Sequence, residues 1–336
     1  MPSLSTVRAS NASLHNLKKI TALFVGGTSG IGQSTLRQLA KHADGSALTA
    51  YIIGRNRPRA EPFLSELKKT SPSATFHFIE ADVSLVKNVD RACQEIKRNE
   101  KNLDFLFMTP GGISLGGRNE TPEGIDTLFS LRYYARMRFI QNLLPLLNSP
   151  KPQSSASSRI ISVYGGGFEY SINPADLPLK HTFSLINAYK HSITMTTLSM
   201  ALLARRNPGV SFLHAYPGLV AGTNIYSNSF PGPVAAVYNY GFGPLMYPFS
   251  VGLGESGERH LFHLSSERYP CLKDAGGDEV ARGVDGEKGS GAYLINWKGE
   301  IRPSSRVLNE YRENGVDELV WRHTEEVLDA AGNRLA

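Results

Sequence analysis

Gly26-Gly27-Thr28-Ser29-Gly30-Ile31-Gly32 is a segment whose composition and spacing point to a specific chemistry. It follows the apolar run Thr21-Ala22-Leu23-Phe24-Val25 and leads into a helix-like stretch. A strand that ends in a glycine-rich turn at a helix N-terminus can cradle a pyrophosphate. The glycines let the backbone come close, and the N–H groups of the first helical turn face the charge. The other reading is a glycine-rich turn with no ligand. Agreement of strand, glycine spacing and helix favours a dinucleotide site. Its expected contacts are Gly26, Thr28, Ser29, Gly30, Ile31 and Gly32. After the second apolar run, Tyr51-Ile52-Ile53, comes Gly54-Arg55-Asn56. A site for NAD places a carboxylate here for the ribose 2′-hydroxyl. Gly54 offers none, whereas Arg55 offers a planar, permanent cation suited to a 2′-phosphate. Arg57 and Arg59 add positive potential, although a solvated basic loop would look the same. The expected cofactor is NADP(H), with Arg55 and Asn56 beside it.

These residues need a scaffold, and the rest of the chain predicts one. Apolar strand-like runs alternate with helical patterns from about residue 20 to 215. Strands are expected at Leu23–Val25, Tyr51–Ile53, Phe76–Ile79, Phe105–Met108, Ile160–Ile161, Val210–Ala215 and Gly291–Ile295. Helices are expected at Ile31–Ala40, Phe63–Lys69, after a Ser84 cap with Leu85, Val89, Ala92 and Ile96 on its apolar face, at Pro122–Leu147 and at Leu185–Ala204. This rhythm specifies an α/β fold: a Rossmann-type doubly wound parallel sheet of about seven strands with helices on both faces. One such domain accounts for residues 1–336. The rhythm stops after Pro217-Gly218. Aromatic residues Phe230, Tyr238, Tyr240, Phe242, Tyr247 and Phe249 then stand among prolines and glycines. The insertion, about 220–270, reads either as a helix pair packed on the core or as an aromatic lid over an apolar substrate. Two short helices split at Gly315 finish the chain as an extension, 300–336.

Bulk properties exclude several classes. The 336 residues carry 36 basic and 30 acidic side chains, a net charge of +6 with no long basic block. Nucleic acid is therefore not an expected partner. Cys93 and Cys271 make neither a disulfide framework nor a metal site, which fits a reducing, cytoplasmic compartment. Met1–Asn16 has no apolar core of leader type, so the sequon Asn11-Ala12-Ser13 carries no expected meaning. No run of about 20 apolar residues predicts a membrane span.

The residues resemble the short-chain dehydrogenase/reductase family over about Ile20–Ile295. The family's Thr-Gly-x-x-x-Gly-x-Gly stands here as Val25-Gly26-Gly27-Thr28-Ser29-Gly30-Ile31-Gly32, with Val25 in place of the threonine. Asp82-Val83 matches the Asp-Val that contacts adenine. Pro217-Gly218 matches the Pro-Gly beside the nicotinamide, with Val220 and Thr223 implied nearby. The family's Asn-Asn-Ala-Gly is reduced to Met108-Thr109-Pro110-Gly111, which leaves Pro110 and Gly111 as implied contacts.

The catalytic pattern departs further. The family's active-site asparagine falls at Arg132, its serine on Gly165, and its Tyr-x-x-x-Lys on Ile186 or Asn187 with Lys190 or His191. The literal match Tyr269-Pro270-Cys271-Leu272-Lys273 lies too far along the chain and is read as chance. A carbonyl that receives hydride also needs a proton. Tyr164, Tyr189 or His191 is the expected substitute proton source, with Ser162 close by, Arg132 holding an anionic or enolic oxygen as a fixed cation and Lys190 holding the nicotinamide ribose. Four segments resemble a divergent fungal-type subgroup: Ser162–Gly166, His191–Leu198, Glu255–Phe262 and Val320–Thr324. Proteins of that kind are often found beside natural-product enzymes. The resemblance implies an NADPH-dependent oxidoreductase of secondary metabolism acting on a mid-sized apolar metabolite. It also implies a homodimer through the helices after the fourth and fifth strands, a surface that Arg132, Arg136 and Arg138 would disturb. Two alternatives keep the fold: a non-redox isomerase, cyclase or dehydratase, and a non-catalytic NADP-binding sensor or scaffold.

Overall fold

The computed structural model describes residues 2–43, 47–113, 116–150, 156–223, 232, 236, 247–277 and 279–333. Its centre is a seven-stranded sheet in the order β3-β2-β1-β4-β5-β6-β7. The strands are β1 (Lys19–Val25), β2 (Ala47–Gly54), β3 (Thr75–Glu80), β4 (Phe105–Met108), β5 (Ser158–Val163), β6 (Val210–Tyr216) and β7 (Ala292–Asn296). Every neighbouring pair is parallel. The expected fold is therefore the observed one. Both faces are covered, so the central strands are apolar on alternate residues in both directions. In β1, Leu23 and Val25 enter one core while Ala22 and Phe24 enter the other. The order reverses between β1 and β4, and a crevice at that switch point receives ligands in sheets of this kind.

The N-terminal segment forms α1 (Leu4–Ala12), whose Asn11 is fully buried and donates to the Glu258 carboxylate at 2.8 Å. Helix α2 (Gly30–His42) follows the glycine turn, and α3 (Arg57–Thr70) follows β2. Helix α4 (Val86–Asn99) lacks the expected Ser84 cap. Its first amides, those of Val86 and Lys87, donate instead to the Glu123 carboxylate at 2.6 and 3.0 Å. A carboxylate at a helix N-terminus satisfies orphan amides and meets the positive end of the helix dipole. The expected helix Pro122–Leu147 is shorter and interrupted. Asp126 caps a single turn, Thr127–Phe129, a π-helical segment spans Ser130–Tyr134, and α5 runs over Ala135–Leu147. Gly124 (φ +79°) makes the turn before Asp126, which ends any helix there.

Helix α6 spans Leu185–Arg206, and α7 spans Leu253–Ser265. The latter falls inside the expected 220–270 insertion, yet it is framework. Ser34 Oγ donates to Leu253 O at 2.6 Å, and a Cβ on Gly257 would lie 2.4 Å from Ser34 Oγ. Phe230, Tyr238, Tyr240 and Phe242 lie outside the described residues. Tyr247 and Phe249 are exposed. The C-terminal extension is α8 (Arg306–Glu313) and α9 (Val316–Asn333), divided at Gly315 (φ +69°). Helix α9 packs on α6 and α4. Arg205 pairs with Asp317 at 2.5 Å, and the Tyr133 and Thr324 hydroxyls are 2.5 Å apart. Arg138 pairs with Asp90 at 2.5 Å rather than facing an open surface. No helix among the described residues is long and apolar enough to cross a membrane. Both cysteines are buried and free.

Candidate active site

The glycine turn is built by close approach. Gly26 (φ +80°) and Gly30 (φ +58°) use left-handed backbone that other residues rarely adopt. A Cβ on Gly32 would stand 2.4 Å from Gly26 O, so only glycine lets α2 begin there. Thr109 Oγ1 lies 3.3 Å from Val25 O and 3.2 Å from Gly26 O, tying the turn to β4. Thr28 packs on Gly54, where an added Cβ would be 2.6 Å from its methyl group. Ser29 is the N-cap of α2, yet its hydroxyl makes no capping bond and the first-turn amides stay open to an anion. Ile31 is half-buried against the core of that face.

Around this turn the expected contacts fall as follows. Arg55 is exposed beyond β2, with no ion pair among the described residues. Asn56 is committed in part to structure, since its side-chain oxygen caps α3 by accepting from Arg59 N at 2.8 Å. Arg57 turns away to Phe78 O at 2.9 Å. Asp82 is exposed and accepts from Ser84 N at 3.0 Å, while Val83 is buried. Gly111 is exposed. Gly218 (φ +71°) packs on Trp297, and Pro217 beside it is half-buried. Val220 bridges to Val251, and the Thr223 methyl lies within reach of Gly30. Residues far apart in sequence thus meet at the carboxyl ends of β1, β2 and β6.

Tyr164 lies just past β5, half-buried. The guanidinium carbons of Arg132 and Arg136 stand 5.7 and 5.5 Å from its ring centroid. Its hydroxyl is 3.1 Å from that of Ser192, and its ring stacks on His214 at 6.5 Å. Burial pushes the phenol up from its ordinary value, while Arg132, the Ser192 contact and Arg136 pull the other way. Tyr164 is therefore protonated at neutral pH and can give a proton but not take one.

Arg136 is the residue that spacing alone did not single out. It is fully buried and donates to Ser162 Oγ at 2.6 Å, to Val163 O at 3.0 Å and to the Pro110 carbonyl. One guanidinium fork thus ties the end of β5 to the loop after β4. Burial, with Arg132 nearby, lowers its pKa to about 10. Ser162 is fully buried, so its hydroxyl serves Arg136. Behind Tyr164 runs a directional chain. Gly165 N donates to His214 Nε2 at 3.3 Å, His214 Nδ1 lies 2.8 Å from Thr197 Oγ1, and Thr197 donates to Glu169 Oε1 at 2.7 Å. With Nε2 accepting, the proton sits on Nδ1. Burial lowers His214 to about 3.

The remaining expected residues are placed differently. His191 is buried, with Nε2 accepting from Asn173 N at 3.0 Å and Nδ1 3.3 Å from Leu177 O. Both ring nitrogens are spent on backbone, so neither is left to move a substrate proton. Lys190 Nζ lies 5.7 Å from the Tyr170 ring. Ile186, one of the two positions where the resemblance puts a tyrosine, is 66% exposed at the start of α6. Tyr269 is fully buried and donates to Gly299 O at 2.7 Å, so the literal Tyr-x-x-x-Lys match is core structure.

Known proteins are similar to this chain in sequence and in fold. The family model for short chain dehydrogenase matches residues 20–232. The chain belongs to the short-chain dehydrogenase/reductase family. A curated relative, oxidoreductase AN1596 of Emericella nidulans, is 67% identical over 99% of this chain and 100% of its own length. The short-chain dehydrogenase/reductase SAT2 of Stachybotrys chartarum is 31% identical over 98% of this chain and 97% of its own. Among solved structures, the NADPH-bound carbonyl reductase from chicken fatty liver superposes with a TM-score of 0.53 at 18% identity, covering 85% of this chain and all of that one. That likeness shows the shared fold. The family and the two full-length fungal relatives support an oxidoreductase.

Proposed function

We propose that this short-chain dehydrogenase/reductase is an NADPH-dependent oxidoreductase of fungal secondary metabolism, acting on a mid-sized, largely apolar metabolite through a non-standard site. The observation that carries the reading is the pairing of an open glycine cradle with Arg55. A cradle that a Cβ on Gly32 would fill, with uncapped α2 amides, fits a pyrophosphate. An exposed arginine past β2, with no ion pair among the described residues, fits a ribose 2′-phosphate. The NADPH-bound state of the chicken carbonyl reductase is consistent with it.

When bound, the cofactor supplies hydride. Everything else falls to this chain. Gly26, Gly30 and Gly32 shape the phosphate cradle, Asp82 and Val83 border the adenine side, and Pro217, Gly218 and Thr223 border the nicotinamide side. Tyr164 keeps its proton at neutral pH and gives it to the substrate oxygen, while the two guanidinium cations beside its ring favour the phenolate left behind. The family's lysine position falls at Lys190 or His191, and Lys190 is the one that carries a cation for the nicotinamide ribose. One observation favours a non-redox reaction on the same fold: Ile186 at the relay position carries no proton.

A calorimetric titration with NADPH and NADH tests the proposal. NADPH is expected to bind more tightly. Arg55→Ala should cost it about tenfold or more, the worth of one charge-assisted contact, and leave NADH unchanged. Binding of neither nucleotide overturns the oxidoreductase reading, and turnover without nucleotide establishes the non-redox one.

A further inference from the structure

A cavity of about 180 Å³ opens between the π-helical segment and the start of α6, lined by Arg132, whose guanidinium also stands 5.7 Å from the Tyr164 ring. Phe183, Leu185, Ala188 and Leu128 give it an apolar wall, and Arg132 is the cation that lines it. Asp126 also borders it, but its carboxylate is used: it accepts from Phe129 N and Asn119 N, both at 2.9 Å. Arg132 is 8% exposed, and one terminal nitrogen donates to Gly112 O at 2.7 Å. Its Nε is buried with no partner, and no carboxylate lies within ion-pair distance of it among the described residues. Arg136 beside it bonds only to neutral oxygens.

Two buried guanidiniums with no carboxylate at ion-pair distance among the described residues are costly, and such charges are normally paired. A π-helical turn is itself uncommon and recurs at functional sites. Here it places Arg132 on the cavity and, one turn on, leaves Arg136 to hold the floor. We infer that the cavity takes an acidic oxygen of the substrate, a carboxylate or the enolate of a conjugated carbonyl, carried on a planar apolar body. The guanidinium fork meets the two oxygens of the delocalised anion, and the ring lies against Phe183 and Leu185. A cavity of this size admits one ring system, so the acidic end enters it while the remainder of a larger metabolite stays outside. This deepens the proposed function and rests on its placing of the substrate beside Tyr164.

Binding of model acids to the full-length protein without nucleotide tests the site separately from hydride transfer. The probes are 2-naphthoate and its neutral isostere 2-naphthamide, titrated by calorimetry at pH 7.5. Naphthoate is expected to bind at least about tenfold more tightly, the worth of one charge-assisted contact. In Arg132→Gln the two probes should bind alike, and in Arg55→Ala the preference should persist. Equal binding of both probes to the unaltered protein overturns the inference, whether or not Arg132→Gln folds. So does a preference that survives in Arg132→Gln or vanishes in Arg55→Ala. A tenfold loss of NADPH affinity in Arg132→Gln would also overturn it, assigning the cation to a cofactor phosphate. Equal binding of the two probes to the unaltered protein leaves NADPH binding at Arg55 untouched, so the two readings fail separately.

Discussion

Mild acid should destabilise this protein through its buried histidines, one of which lies behind Tyr164. His214 and His260 are fully buried, and burial lowers them from 6.5 to about 3 and about 4 respectively. His263, also fully buried, is lowered well below its ordinary value by burial, then by His260 and nearby arginines. A histidine with a depressed folded pKa contributes stability that is present above its unfolded pKa and lost as pH falls toward the folded one. At pH 5 the unfolded chain has taken up a proton at each of these sites while the folded chain has not. The loss relative to neutral pH is about 1.5 pH units at about 1.4 kcal/mol per unit, or about 2 kcal/mol for each histidine. His214 and His260 together therefore remove about 4 kcal/mol, a large part of a typical stability of about 5–15 kcal/mol. Carboxylates held low, such as Asp176 at about 2 and Glu258, lose their contribution only below the ordinary carboxylate range. Between pH 6.5 and 5 the histidines therefore dominate. Glu169, pushed up by burial, opposes the trend weakly. Urea melts at pH 7.5, 6 and 5 measure the slope, and His214→Gln should reduce the loss between pH 7.5 and 5 by about 2 kcal/mol. A stability that stays flat over this range, or an unchanged slope in His214→Gln, would refute the reasoning.

Two further outcomes follow from packing. Gly32→Ala places a methyl group 2.4 Å from Gly26 O. It should lower stability by about 1–3 kcal/mol and abolish nucleotide binding by closing the cradle, and a variant that binds NADPH normally would show that the turn is not the site. Helix α9 packs on α6, one of the two helices, α5 and α6, through which the family resemblance implied a dimer. The protein should therefore run as a 36.7 kDa monomer in light scattering, and a stable species of twice that mass would require α9 to be displaced.

The resemblance and the structure agree most where the signal is local. The glycine turn and the strands were legible because each depends on a few consecutive residues or on a short period. The catalytic side was less legible because its residues act through distant partners. Arg136 looked like a surface charge on a helix, yet it is the buried fork between Ser162, Val163 and Pro110. His191 looked like a proton carrier beside Lys190, yet both its nitrogens serve the backbone. Ser192 and Thr109 carried no spacing signal, because one meets Tyr164 from 28 positions away and the other reaches the glycine turn across 83. Ser84 stood where a cap belongs, but a carboxylate 36 residues from Lys87 fills that role.

The sequence by itself determined the parallel sheet and the cradle at its switch point. Alternation of apolar residues and the conformational freedom of glycine act over a few residues and leave a direct imprint on the chain. Only the tertiary structure decided what surrounds Tyr164. Whether an arginine is a solvated surface charge or an unpaired buried cation depends on what lies within a few ångströms of it. That neighbourhood is assembled by the sheet from β4, β5 and α6, and no spacing along the chain records it.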